Sequence, residues 1–216
     1  DNLLTLKQDN PTTVEGDEPD STLNDFWDTN GQSRGVEFLL KKSSGRFNGW
    51  VGYTYAETEY YTEPNGWHHP NFDRTHTLNV VGNFELTSEL EISTAVTSSS
   101  GNPYTQILGR VYDWKQNLNS NTYWYPIDSY IVGEKNTERY DGYFRVDVGM
   151  IRKGGNLFGL EYDTYWQIMN LTRHLNTLNY TYRTKTDPLT GNRLGVERRP
   201  IPMFPLILTF GIKFEF

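Results

Sequence analysis

From Leu206 onward every even-numbered residue is apolar: Leu206, Leu208, Phe210, Ile212, Phe214 and Phe216. Thr209, Gly211, Lys213 and Glu215 stand between them. A strict period of two places one set on each face of an extended strand. The run is also about the ~10 residues that a tilted strand needs to cross a bilayer. In a soluble sandwich the same alternation would be half-buried, so this stretch alone leaves both settings open. A final residue, Phe216, lying inside the pattern is expected of a barrel wall rather than of a soluble domain.

The pattern recurs upstream. Val36, Phe38 and Leu40 alternate with Glu37 and Lys41, and Phe47, Val51, Tyr53 and Tyr55 oppose Arg46, Asn48 and Thr54. Leu78, Val80, Phe84 and Leu86 oppose Thr77, Asn79, Asn83 and Glu85, and Leu90, Ile92 and Val96 oppose Glu91, Ser93 and Thr97. Phe144, Val146, Val148 and Met150 face away from Tyr143, Arg145 and Asp147. Phe158, Leu160, Tyr162, Trp166 and Ile168 face away from Glu161, Asp163 and Gln167. Asp1 to Lys7, with Leu4 and Leu6, reads as a strand caught part-way. The expectation is an all-β chain of about eight meandering antiparallel strands, a segment of a transmembrane β-barrel. Glu37, Glu85, Arg145, Asp147 and Glu161 recur on the second face, which a soluble core would exclude and a wet lumen accepts.

Connections sharpen the expectation. Ser43-Ser44-Gly45, Thr87-Ser88-Glu89 and Gly154-Gly155 read as tight hairpin turns. Between them lie long polar stretches, 9–32, 60–72, 99–140 and 172–204. Short turns on one side and long loops on the other are the asymmetry of outer-membrane barrels, and compact soluble domains seldom carry loops of ~30 residues. A soluble all-β protein with decorated loops is the alternative.

Composition agrees by what it excludes. The net charge is −7 and the pI about 5.1, without the basic stripe that nucleic acid requires. Mean hydropathy is −0.68, and no apolar run is long enough for a membrane helix. A barrel tolerates such hydrophilicity because only alternate residues meet lipid. There is no cysteine, hence no disulfide framework and no thiolate metal site. No signal peptide precedes Asp1, so the chain is expected to start after processing or to be a fragment.

Several segments resemble TonB-dependent receptors, in the family's order over about residues 32–216. Gly35-Val36-Glu37 is similar to its G-x-E strand, and Gly52-Tyr53-Thr54-Tyr55 followed by Phe72-Asp73-Arg74-Thr75-His76-Thr77-Leu78-Asn79 to the next pair. Ser100-Gly101-Asn102-Pro103-Tyr104-Thr105 resembles its S-G-x-P-Y exit. Tyr143 to Val148 resembles its R-x-D strand, and Asn170-Leu171-Thr172-Arg173 with Asn176 its N-L-x-N segment. Gly211 to Phe216 resembles the terminal insertion signal, and Pro200 to Pro205 the large Bacteroidota receptors. The resemblance implies a barrel of roughly 22 strands around an N-terminal plug. It further implies energised uptake of a siderophore, glycan or peptide across the outer membrane of a Gram-negative bacterium. The implied partners are outer-membrane lipid, the rest of the barrel and its plug, TonB through the missing N-terminal part, and the barrel-assembly machinery. Leu206, Leu208, Phe210, Ile212, Phe214 and Phe216 would face lipid and carry the insertion signal. Glu37, Glu85, Arg145, Asp147 and Glu161 would face the lumen. A small self-closed barrel with a structural or adhesive role is the alternative.

No catalytic or cofactor motif stands out. G-x-S-x-G and H-E-x-x-H are absent, so no enzyme and no cofactor is expected. Trp67-His68-His69 near Asp73 suggests a loop contact, but adjacent histidines on an extended chain point opposite ways, so a polar loop without metal is expected. The 99–140 stretch carries Trp114, Tyr123, Trp124, Tyr125 and Tyr130. Exposed loop aromatics suit stacking on flat ligands, with a loop folded over its own rings or an aromatic girdle as the bland reading. Trp67, His68, Trp114, Tyr123 and Trp124 are therefore the ligand-loop candidates. The acidic run Glu15 to Asp20 lacks EF-hand spacing and reads as a solvated loop.

Overall fold

The computed structural model describes residues 3–6, 26–116 and 124–215. Its elements in chain order are β1 (Leu3–Leu6), β2 (Phe26–Lys42), β3 (Phe47–Thr62), β4 (Gly66–His68), β5 (His76–Glu85), β6 (Leu90–Ser99), β7 (Pro103–Tyr104) and β8 (Ile107–Gln116). There follow β9 (Trp124–Val132), β10 (Glu138–Arg139), β11 (Tyr143–Leu157), β12 (Leu160–Met169), β13 (Thr177–Thr186), β14 (Arg193–Pro202) and β15 (Ile207–Glu215). The described residues contain strands and turns and no helix.

One antiparallel sheet dominates, in the order β1-β2-β3-β5-β6-β11-β12-β15, with β4 added to β3. The register carries one face through the whole sheet. Leu40 pairs with Val51, Val51 with Val80, Val80 with Val96, and Val96 with Val146. Four residues nearer the short turns, Phe47, Phe84, Ile92, Met150, Trp166 and Phe210 lie in successive register. Cross-strand partners share a face, so the expected apolar set forms one continuous surface. Glu37, Glu85, Arg145, Asp147 and Glu161 all fall on the other face. That face also carries Leu39, Trp50, Val81 and Ile151, so it is mixed rather than purely polar.

Among the described residues nothing covers the apolar face. Leu208, Phe210 and Ile212 are 69%, 53% and 46% exposed, and Phe38 and Leu40 more than half. Among the described residues the buried hydrophobic side chains are Tyr104 and Tyr180, neither of them in this sheet. The sheet is also open. Among the described residues β1 pairs with the far end of β2, from Leu3↔Thr29 to Leu6↔Phe26, and β15 pairs with β12. β1 and β15 do not meet, so the described strands do not form a small closed barrel.

Three details depart from the expectation. The stretch 9–32 reads as loop in the sequence, yet residues 29–33 continue β2 against β3 and residues 26–29 pair with β1. The pairs there turn from apolar to polar: Arg34 donates to Glu57 at 2.7 Å, Gln32 to Glu59 at 2.8 Å, and Ser33 meets Thr58 at 3.0 Å. Alternating hydrophobicity stops at Arg34, but the ladder does not, because cross-strand hydrogen bonds and charges replace apolar contact.

Second, the turn expected at Gly154-Gly155 lies at Phe158-Gly159, with φ of 54° and 86°. Both central residues sit in the left-handed region, as a two-residue hairpin of this hand requires. The Gly159 N–H donates to Asn156 Oδ1 at 3.1 Å. Gly154-Gly155 instead form a bulge where the register shifts between Arg152 and Gly155. The turns at 43–46 and 86–89 are as expected; Thr87 Oγ1 accepts the Leu90 N–H at 3.1 Å.

Third, the long connections are themselves β-structured. Segment 99–140 holds β7, the β8–β9 hairpin and β10, which pairs with β7; 172–204 holds the β13–β14 hairpin. All long connections leave the sheet at the end opposite the short turns, as an antiparallel meander dictates.

Candidate functional site

Where the strands leave the apolar band, polar residues become buried. Thr29, Thr62, His68, Asp73, Ser99, Asn136, Asp147, Asn170 and Asn176 are buried there, while the apolar side chains below them are not. Buried polar groups need partners, and these are found between segments distant in sequence.

Asp73 organises the first group. Its Oδ1 accepts the Thr58 N–H at 2.8 Å, and its Oδ2 lies 2.5 Å from Arg139 Nη2. Arg139 also donates to the carbonyls of Asp73 and Gly101. Arg74 donates to Asn102 Oδ1 at 2.8 Å, and Asn136 Nδ2 to the His69 carbonyl at 2.6 Å and Asn71 Oδ1 at 2.7 Å. The 63–75 and 100–142 connections are thus tied together by side chains. Gly101 permits the closest approach, since a Cβ there would collide with the Tyr140 carbonyl.

A second group surrounds Asn170 and Asn176. Asn176 Oδ1 accepts the Phe144 N–H at 2.8 Å and its Nδ2 donates to the Phe144 carbonyl at 2.9 Å, so the amide completes the end of β11 as a strand would. The Asn170 N–H donates to Asp147 Oδ1 at 2.9 Å, and Arg145 pairs with Asp147 at 2.9 Å. Beneath the 170–206 connection lies a groove of about 570 Å³ lined by Arg145, Met169, Asn170, Leu178, Met203 and Phe204.

The third group is aromatic. Tyr104, Tyr140 and Tyr180 lie with ring centroids 4.6–5.3 Å apart. The Arg198 guanidinium sits 4.3 Å over Tyr180 and donates to the Tyr104 hydroxyl. Tyr180 donates to Asp141 Oδ2 at 3.2 Å, and Tyr140 to Asn179 Oδ1 at 2.9 Å. Burial is the main cause pushing all three phenols above their ordinary range. The cluster joins the β7–β10 pair to the β13–β14 hairpin.

The remaining sequence candidates divide. Trp67 is 55% exposed and packs on Tyr61 with centroids 5.5 Å apart. His68, the last residue of β4, is 9% exposed, with Nδ1 3.0 Å from the Gly66 carbonyl. A strand alternates its faces, and β4 turns His68 inward while Trp67 points out. Trp114 and Trp124 lie in the β8–β9 hairpin, Trp114 opposite Pro126 and Trp124 opposite Gln116. Tyr123, Phe216 and the acidic run Glu15 to Asp20 lie outside the described residues. Glu37, Glu85 and Glu161 are exposed on the mixed face, where Arg145 and Asp147 form their pair.

Sequence reasoning named His69 and Asp73 only as a loop contact and missed Arg139 and Arg198 as organising residues. The Phe72-to-Asn79 segment held a signal for Asp73; nothing local marks Arg139 as its partner. Compared with known proteins, the chain matches no family model, no curated protein and no solved structure.

Proposed function

We propose that this chain supplies wall and outer loops to a transmembrane β-barrel in the outer membrane of a Gram-negative bacterium, and that the barrel is a TonB-dependent receptor importing a siderophore, glycan or peptide-type nutrient. The observation that carries the membrane part is the uncovered apolar face running from Val36, Phe38 and Leu40 to Leu208, Phe210 and Ile212. Soluble monomers rarely expose apolar patches beyond a few hundred Å². In lipid the same surface is favourable, at about 1.5–3 kcal/mol for each Phe or Leu removed from water.

The other features fit that setting. From Leu208 to Phe214 the face spans ~20 Å along the strand, close to the ~25 Å apolar band of such barrels. Open edges at β2 and β15 are costly in lipid unless further strands pair there, which favours an arc of a large barrel over a small closed one. The receptor reading rests on the ordered motifs, whose residues Asp73, Arg74, Gly101, Tyr104, Asp147, Asn170 and Asn176 meet in the polar groups above the wall. In this reading the mixed face meets a plug or lines the uptake path, and the chain end is what the assembly machinery grips.

Trp166 lies on the apolar face and Trp50 on the other. In single-tryptophan versions of the full-length protein, brominated lipid tails should quench Trp166 strongly and Trp50 weakly; equal quenching overturns the membrane reading. Cells lacking the full-length protein should lose energy-dependent uptake of one bulky nutrient, and unchanged uptake across siderophores, glycans and peptides overturns the receptor reading.

A further inference from the structure

We propose that Glu57, Glu59 and His69 form a binding site for a divalent transition cation of the zinc type. One ligand atom from each residue falls within 4.8 Å of the other two, and all three residues are half-buried. The sheet puts them there. Tyr60 pairs with His68, so His69 follows opposite Glu59, and Glu57 stands one pleat along on the same face.

The orientation of His69 sets the cluster apart from an ordinary group of surface carboxylates. Its Nδ1 lies 2.9 Å from the Thr58 carbonyl, which can only accept, so Nδ1 carries a proton and Nε2 is the ring nitrogen left for an ion. A ligating histidine is held in this way, with the far ring nitrogen bonded to a carbonyl or carboxylate. Asp73 Oδ2 stands 3.6 Å from the same Nδ1, and Asp73 is itself fixed by Arg139 and the Thr58 N–H. The imidazole is therefore aimed before any ion arrives.

One imidazole and two carboxylates suit zinc-class ions, whereas calcium and magnesium favour all-oxygen sites. Three protein ligands leave a position for water. Arg34 pairs with Glu57 and Gln32 bonds Glu59. Arg34 is 78% exposed on its side chain and can swing clear, so it competes with the ion rather than blocking it. A bound ion would tie β3 to the segment after β4 and clamp the 63–75 connection.

The test is calorimetric titration of Zn²⁺ alone into chelator-treated full-length protein in detergent micelles. One ion per chain is expected to bind saturably. Glu59→Gln should weaken binding at least tenfold and His69→Ala abolish it, with melting curves reporting that each variant is folded; Glu59→Gln, near-isosteric, guards against misfolding of His69→Ala. His76→Ala and His174→Ala should leave affinity unchanged. Arg34→Ala should tighten binding severalfold, because it frees Glu57. The proposal is overturned if the wild-type protein shows no saturable binding, if Glu59→Gln binds within twofold of wild type, or if Arg34→Ala fails to tighten it.

Discussion

The wall and the cap of this molecule invert each other. In the wall, large apolar side chains such as Phe38, Leu40, Leu208 and Phe210 are exposed. In the cap, Asp73, Asn136, Asn170 and Asn176 are buried and hydrogen-bonded. A water-soluble domain does the reverse, hiding its apolar atoms and solvating its polar ones. The wall's backbone is satisfied by its ladders, so its side chains are free to match their surroundings. Cap connections have fewer ladders, and side-chain amides, carboxylates and guanidinium groups finish the backbone instead.

The largest expected effect breaks the comparison if it fails. On the membrane reading proposed above, Phe210→Arg should cost about 2–4 kcal/mol, while Gln167→Arg on the opposite face should cost little. Reversible unfolding in vesicles measures both, and equal costs would mean that the two faces meet the same solvent. Next comes the cap's central ion pair. Asp73→Ala leaves Arg139 without its carboxylate and the Thr58 N–H without an acceptor. Removing one partner of a fully buried pair costs about 3–5 kcal/mol, and because Arg139 is partly exposed about 2 kcal/mol is expected here. Hydrogen exchange should show the loss in the 63–75 and 100–142 connections and not in β11, β12 or β15.

Asn176→Ala removes both bonds to the Phe144 backbone and should cost about 1–2 kcal/mol, read as faster exchange at Phe144 alone in the upper part of β11. The tyrosine cluster sharpens the contrast through pH. Tyr104, Tyr140 and Tyr180 have folded-state pKa values above the ordinary 10, chiefly through burial. Stability from these groups is fully present below pH 10 and lost as pH rises through their raised values. Tyrosinate absorbance should therefore appear late, together with loosening of the β13–β14 hairpin, while the wall's strand signal persists. The smallest effect is at Arg34→Ala, where an exposed ion pair is lost and no measurable change in melting is expected.

Much of the wall was legible because its information is local. Period-two alternation places Val80, Val96 and Val146 on one face without reference to any partner, and the register then aligns them. The same rule failed at Gly154-Gly155. Two glycines look like a turn, but the two-residue hairpin formed at Phe158-Gly159, and the glycines became a bulge beside Asp163, whose Oδ1 accepts the Gly154 N–H at 3.1 Å. It failed again above Arg34, where polar cross-strand pairs carry β2 onward although no apolar pattern marks them.

The sequence by itself determined an all-β meander, its two faces, two of its three short turns and the end from which the long connections leave. Each follows from side-chain alternation and turn chemistry within a few residues. Only the tertiary structure decided that the connections are hairpins, that His68 turns inward, and that Asp73 meets Arg139 across 66 positions. It alone gathered Glu57, Glu59 and His69. A strand's faces are set by its own covalent geometry, whereas a buried polar group is set by whichever distant donor or acceptor the fold brings to it.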